Sequence, residues 1–112
     1  MFFKNLFSSS KKNNAIHVLS ASEFRKALSK KDLQLLDVRT PREYAIAYIK
    51  GAKNLNIFEP NNFKKVAARL NKEAPVYLYC QSGKRSRQAS KLLVKMGFNH
   101  IYDLKGGFSN WH

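Results

Sequence analysis

An α/β fold is predicted, with a central, mostly parallel sheet of about five strands and helices on both faces, a three-layer sandwich. Three observations carry it. Short apolar or β-branched runs alternate along the chain with segments whose apolar residues recur at helical spacing. The run Val76–Cys80 is apolar or aromatic throughout, as expected of a strand covered on both faces. Two capping boxes, one with proline at the first helical position, mark where strands hand over to helices. A length of 112 residues allows one domain with a real core and is too short for two.

Residues 1–14 differ in composition from the rest. Phe2, Phe3, Leu6 and Phe7 fit one apolar side of a short helix, and Ser8 to Asn14 reads as a polar linker. The stretch is too short to span a bilayer and lacks the continuous apolar core of a secretion signal. It is expected to be a tail or short amphipathic segment, packed on the domain or frayed, with a weak interfacial anchor as the alternative. The folded domain is expected over 15–112.

Ile16–Leu19 alternates and opens the sheet. Ser20-Ala21-Ser22-Glu23 is a capping box, and Phe24, Ala27 and Leu28 supply the apolar face of the helix it starts. Leu33–Val38 reads as a buried parallel strand, and Thr40-Pro41-Arg42-Glu43 starts a short helix. Gly51 allows a turn, after which Leu55–Phe58 is expected to be a strand or its end. Phe63, Val66, Ala67 and Leu70 share one helical face, predicting a helix over 63–70. Beyond Val76–Cys80, Ala89, Leu92, Leu93 and Met96 share another, with Ser86 as the expected N-cap and Gly97 as the stop. His100–Leu104 is the last strand.

The one cysteine, Cys80, therefore lies at the C-terminal end of a strand, where a short polar loop leads to a helix N-terminus. Backbone N–H groups of such a turn converge on one point, and the helix dipole adds positive potential. Lys84 and Arg85 add full charges, and Gly83 can turn the backbone inward with φ > 0. Each of these favours a reactive thiolate over a buried, inert thiol. In open parallel sheets ligands bind at the C-terminal ends of strands, which is where Cys80 falls.

The run Cys80-Gln81-Ser82-Gly83-Lys84-Arg85-Ser86 resembles the C-x-x-G-x-R-[ST] active-site loop of rhodanese-type sulfurtransferases. The resemblance extends over about Ile16 to Trp111. Asp37-Val38-Arg39 with Glu43-Tyr44 is similar to the family's D-x-R stretch and E-[YF] helix start. Residues 47–55 resemble G-H-I-x-G-A-x-N-[IL], with Ala47-Tyr48 replacing the glycine-histidine pair. Gly106, Gly107 and Trp111 match the G-G-x-x-x-W ending. The resemblance implies a rhodanese-like sandwich in which Cys80 takes up a sulfane sulfur as a persulfide and passes it to a nucleophile. The amides of Gln81, Ser82, Gly83, Lys84, Arg85 and Ser86 would form the anion cradle, with Lys84 and Arg85 recruiting the donor. Thiosulfate is the donor commonly used in the family; acceptors would be cyanide, a small thiol or a protein such as thioredoxin. Asp37 and Arg39 are expected to hold loops together at the edge of the crevice by charge-assisted hydrogen bonds. The two glycines would bring backbone close to the cysteine loop, with Phe108 or Trp111 covering crevice or core.

A cysteine-dependent phosphatase or arsenate reductase is the competing enzyme class. Phosphatase loops resemble C-x5-R, whereas Cys80 to Arg85 is C-x4-R and closes a smaller ring of amides. A persulfide carrier or interaction module without turnover is the third reading. No cofactor is implied, and no metal-ligand spacing occurs. His17, His100 and His112 belong to no motif, and an ionised thiolate needs no histidine base. A net charge of +14 spread from Lys4 to Lys105 predicts a positive surface that gathers small anions, without a specific nucleic-acid partner. A single cysteine excludes an intrachain disulfide and suits the reducing cytoplasm. A monomer without stable membrane insertion is expected.

Overall fold

The structure is a computed structural model and describes residues 14–112. The expected N-terminal tail, apart from Asn14, lies outside the described residues. Five strands, β1 (Ile16–Leu19), β2 (Gln34–Asp37), β3 (Lys53–Asn54), β4 (Val76–Tyr79) and β5 (Ile101–Leu104), form one sheet in the order β1-β5-β4-β2-β3. All its pairings are parallel. Each strand but the last hands over to a helix or a turn on its way to the next: α1 (Ala21–Ala27), α2 (Pro41–Ile46), α3 (Pro60–Ala67) and α4 (Lys84–Lys95), and a 3-10 turn at Gly107–Asn110 closes the chain.

Two apolar clusters, one on each sheet face, make the three layers. On one face Phe63 and Ala67 of α3 and Ala89 and Leu93 of α4 pack on Leu36, Val76, Leu78 and Ile101. On the other, Phe24 of α1, Ile49 and Ala52 pack on Leu35, Tyr77, Tyr79 and Leu104. β4 is buried along its whole length, as its uninterrupted apolar run predicts. Both capping boxes form: Ser20 with Glu23, and Thr40 with Glu43 behind Pro41.

Three boundaries differ from expectation. The third strand is Lys53–Asn54 rather than Leu55–Phe58. The Leu55 and Ile57 amides still donate to Asp37 and Val38 carbonyls at 2.8 and 3.1 Å, but the Asn56 side chain accepts from the Phe58 amide and bends the edge strand away. The third helix starts at Pro60 and ends at Ala67, so the expected span 63–70 begins late and runs past its end. Proline at the first turn fixes that start, and Leu70 reaches the core from the turn that follows. The fourth helix begins at Lys84, not behind Ser86. Its N-cap is Gly83 at φ 111°, and the Ser86 hydroxyl makes no cap.

Candidate active site

β4 carries the chain into the centre of the sheet's C-terminal edge, and Cys80 is the next residue. It is 1% exposed. The left-handed turn at Gly83 points that residue's amide back at the Cys80 Sγ, 3.0 Å away. Ser86, in the first turn of α4, is fully buried because the turn directs it inward. Its Oγ accepts from the Cys80 thiol at 3.4 Å, and its hydroxyl donates to the Gly83 carbonyl at 3.1 Å. Cys80, Gly83 and Ser86 thus meet at the sulfur. The Gly83 amide and the N-terminus of a 12-residue helix both favour negative charge there.

The end of the chain braces this loop. The Phe108 amide donates to the Cys80 carbonyl at 2.8 Å, and the Ser109 amide and hydroxyl donate to the Gln81 carbonyl at 3.0 and 2.7 Å. Gly107 makes the approach possible: at φ +65°, a Cβ there would lie 2.6 Å from the Cys80 carbonyl oxygen. Phe108 is half-buried and stacks near Tyr79, while Trp111 packs edge-on against Phe24 and carries Arg25 over its ring. Gly107 therefore acts as the motif suggested, whereas the space at Gly106 is taken by the Asn110 side chain.

Asp37 and Arg39 form a buried ion pair at 2.7 Å. Arg39 also donates to the Ala47 carbonyl at 2.6 Å and to the Gln81 side chain at 3.1 Å, and lies 4.6 Å from the Phe108 ring centre. The pair holds three loops together at the crevice edge. Tyr48 stacks on Tyr44 with ring centres 4.2 Å apart. A cavity of about 260 Å³ lined by Arg39, Glu43, Ile46, Ala47, Gln81 and Phe108 opens on this side of the loop.

The two loop cations part company. Lys84 is exposed, and with Ser82, Gly83, Arg87 and Lys105 it lines a second cavity of about 490 Å³ on the β1–β5 side. Arg85 turns the other way and donates to both oxygens of Glu43 at 2.7 and 2.9 Å, its guanidinium 5.3 Å from the Phe58 ring centre. Those bonds, with help from Thr40 and against partial burial, hold the Glu43 carboxyl down to about 2. Glu43 entered the sequence reading as a capping residue, and its second role has no local signal. Asp103 is the other residue missed, a carboxyl buried at 5% exposure on β5. Its signal was a charge inside the apolar run Ile101–Leu104. Among the described residues no cluster of His, Cys, Asp and Glu is placed to hold a metal ion, and no helix is long and apolar enough to cross a membrane.

The chain is 41% identical over 93 residues to the uncharacterized protein YqhL of Bacillus subtilis, covering 83% of this chain and 70% of that one. It is 33% identical over 89 residues to the thiosulfate sulfurtransferase GlpE of Pseudomonas fluorescens, covering 80% and 79%. A tRNA uridine(34) hydroxylase of Pelagibacter ubique is 36% identical over 107 residues, but this chain spans only 35% of that protein's length. Among solved structures, the human single-domain sulfurtransferase TSTD1 superposes with a TM-score of 0.71 at 28% identity, covering 84% of this chain and 93% of that one. The rhodanese-like domain family model matches residues 20–112. With that match, and with a parallel α/β sandwich that brings its one cysteine to an amide turn at a helix N-terminus, the chain belongs to the rhodanese-like domain family.

Proposed function

We propose that this protein is a sulfurtransferase in which Cys80 carries the sulfur. The observation that supports it most is the Gly83 amide 3.0 Å from Sγ at the head of α4, which favours anionic sulfur on Cys80 in either its thiolate or its persulfide form. In the first half-reaction the Cys80 thiolate attacks the outer sulfur of thiosulfate. A new S–S bond forms, the donor's S–S bond breaks, and sulfite leaves with the electron pair. In the second, a thiolate or cyanide attacks the outer sulfur of the persulfide and Cys80 departs as thiolate. No metal, cofactor or redox partner enters the balance.

Cys80 lines neither of the two cavities that flank the loop. Cys80 itself is buried, at 1% exposure. Such a site suits a narrow terminal sulfur better than a phosphate with three oxygens, consistent with the C-x4-R spacing from Cys80 to Arg85. Gln81, Ser82 and Lys84 complete the loop in this reading, and Lys84, exposed and in no ion pair among the described residues, is the cation that draws in the donor. The name of the GlpE relative points to the same chemistry.

Incubation with thiosulfate should add the mass of one sulfur atom to Cys80, and added cyanide should remove it as thiocyanate. Cys80→Ser should fold normally and reduce transfer to background. Full transfer by that variant, or hydrolysis of p-nitrophenyl phosphate that depends on Cys80, would overturn the reading.

A further inference from the structure

Basic residues that run the length of the sequence are sorted by the fold. α3 and α4 pack on the same face of the sheet, and from Pro60 to Gly97 the sequence carries one acidic residue, Glu73. On α4, Lys84, Arg87, Lys91 and Lys95 follow at spacings of three, four and four residues, which places them along one side of the helix. All four are exposed, and none is in an ion pair among the described residues. The remaining cation of the helix, Arg85, is held by Glu43 instead.

A stripe of charge on a helix is ordinarily a solvated face, but this one runs into a hollow. The cavity of about 490 Å³ at the head of α4 takes Lys84 and Arg87 from the stripe and Lys105 from the end of β5. Two left-handed glycines, Gly83 and Gly106, put bare backbone into its wall. Three cations from two elements thus converge on one concavity, where they repel one another unless an anion lies among them. Asp103, the acidic residue in the lining, is 5% exposed and presents little surface there. Of the large apolar side chains exposed among the described residues, Val18 alone borders this cavity. Ile46, Tyr48 and Phe58 gather instead around α2 and Arg85, across the loop.

We propose that the exposed side of α4 and this cavity form one track for the phosphate backbone of a nucleic acid. From Lys84 to Lys95 the stripe rises about 16 Å, the length along a duplex axis of about five phosphates of one strand. A docked protein needs a desolvated apolar centre, and the exposed apolar side chains lie elsewhere. Interfaces with nucleic acid are polar and positively charged, as this one is. Lysine and arginine on phosphates fix the position of a strand and carry no sequence information, so the track is indifferent to base. Its head shares Ser82, Gly83 and Lys84 with the cysteine loop, while Cys80 does not line it. A bound strand therefore lies against the active-site loop without covering the sulfur.

The test follows the anisotropy of a labelled RNA strand of about 12 nucleotides, of the same sequence as DNA, and of its duplex, from about 0.05 to 0.3 M potassium chloride. About five contacts predict a slope of log K against log salt of about −3.5 for a single strand and about −4.5 for the duplex. The form bound most tightly identifies the source of the backbone. Lys91→Gln combined with Lys95→Gln should flatten the slope by about 1.5 and weaken binding about tenfold at 0.1 M salt. Lys105→Gln should flatten it by about 0.8. Lys26→Gln combined with Lys30→Gln removes the same charge from α1 and the turn behind it, on the other layer, and should bind as the wild type does. A wild-type slope shallower than about −2 overturns the proposal whether or not the variants fold. So does an equal loss in the α1 variant, which would make binding a property of net charge, or a Lys105→Gln protein that binds undiminished. Displacement of the strand by poly-glutamate at equal charge would overturn it in favour of an acidic protein. A wild-type protein that shows these slopes but takes no sulfur from thiosulfate would remove the proposed function and leave the track standing.

Discussion

Glu43 is a single residue on which two demands converge. Its Oε1 accepts from the Thr40 amide at 3.0 Å, closing the capping box of α2, while both its oxygens receive Arg85. The box was legible in Thr40-Pro41-Arg42-Glu43 because capping is a three-residue spacing rule. The ion pair was not, since it joins positions 42 residues apart. It also changes what Arg85 does: a guanidinium bound at both nitrogens to a carboxylate attracts a dianion far less than a free one. Glu43→Gln keeps an acceptor for the cap, removes the charge and releases Arg85. The KM for thiosulfate should fall about two- to fivefold, the scale of one charge at a partly solvated site, with kcat little changed. An unchanged KM would show that Arg85 does not reach the donor. The low Glu43 titration sets the acid side as well. A depressed carboxyl adds stability above the ordinary carboxylate range and loses it as pH falls from about 4.5 through about 2. The difference in melting temperature between wild type and Glu43→Gln should therefore narrow over that window.

At the level of elements, the sequence placed β4 and α4 and missed how they join. Ser86 has the side chain of an N-cap, and its hydroxyl goes instead to Cys80 and to Gly83. Gly83 takes the cap position because φ of 111° turns the chain sooner than a serine cap would. A cap is a local preference worth about 1 kcal/mol, and the position of the loop beneath the C-terminal turn outweighs it. That turn depends on Gly107. Gly107→Ala would force a left-handed alanine, about 1–2 kcal/mol by itself, and drive a Cβ into the Cys80 and Gln81 carbonyls at 2.6 Å. The turn must retreat, releasing the Phe108 and Ser109 bonds to the loop. Lower thermal stability together with lower kcat for sulfur transfer is expected. A variant that is destabilised but fully active would separate the brace from the chemistry.

Over the whole molecule, 21 basic residues face 7 acidic ones. An excess of one sign repels itself in the compact state and attracts anions, and salt screens both effects. Raising salt from about 0.02 to 0.5 M with a chloride salt should therefore raise the melting temperature and raise the KM for thiosulfate together. A KM that ignores salt would confine donor recognition to the loop. The sequence by itself determined the layered parallel fold and the place of Cys80, because both follow from short-range rules: apolar periodicity, capping boxes, and a strand that runs through a glycine turn into a helix. Trp111 and the glycines at 106 and 107 were legible only through their resemblance to the family's G-G-x-x-x-W ending. Only the tertiary structure decided which loop cation Glu43 engages and which backbone braces the loop. Those outcomes depend on what the chain brings near from far along its length. Glu43 reaches Arg85 and Phe108 reaches Cys80 only once five parallel strands have stacked in the order β1-β5-β4-β2-β3.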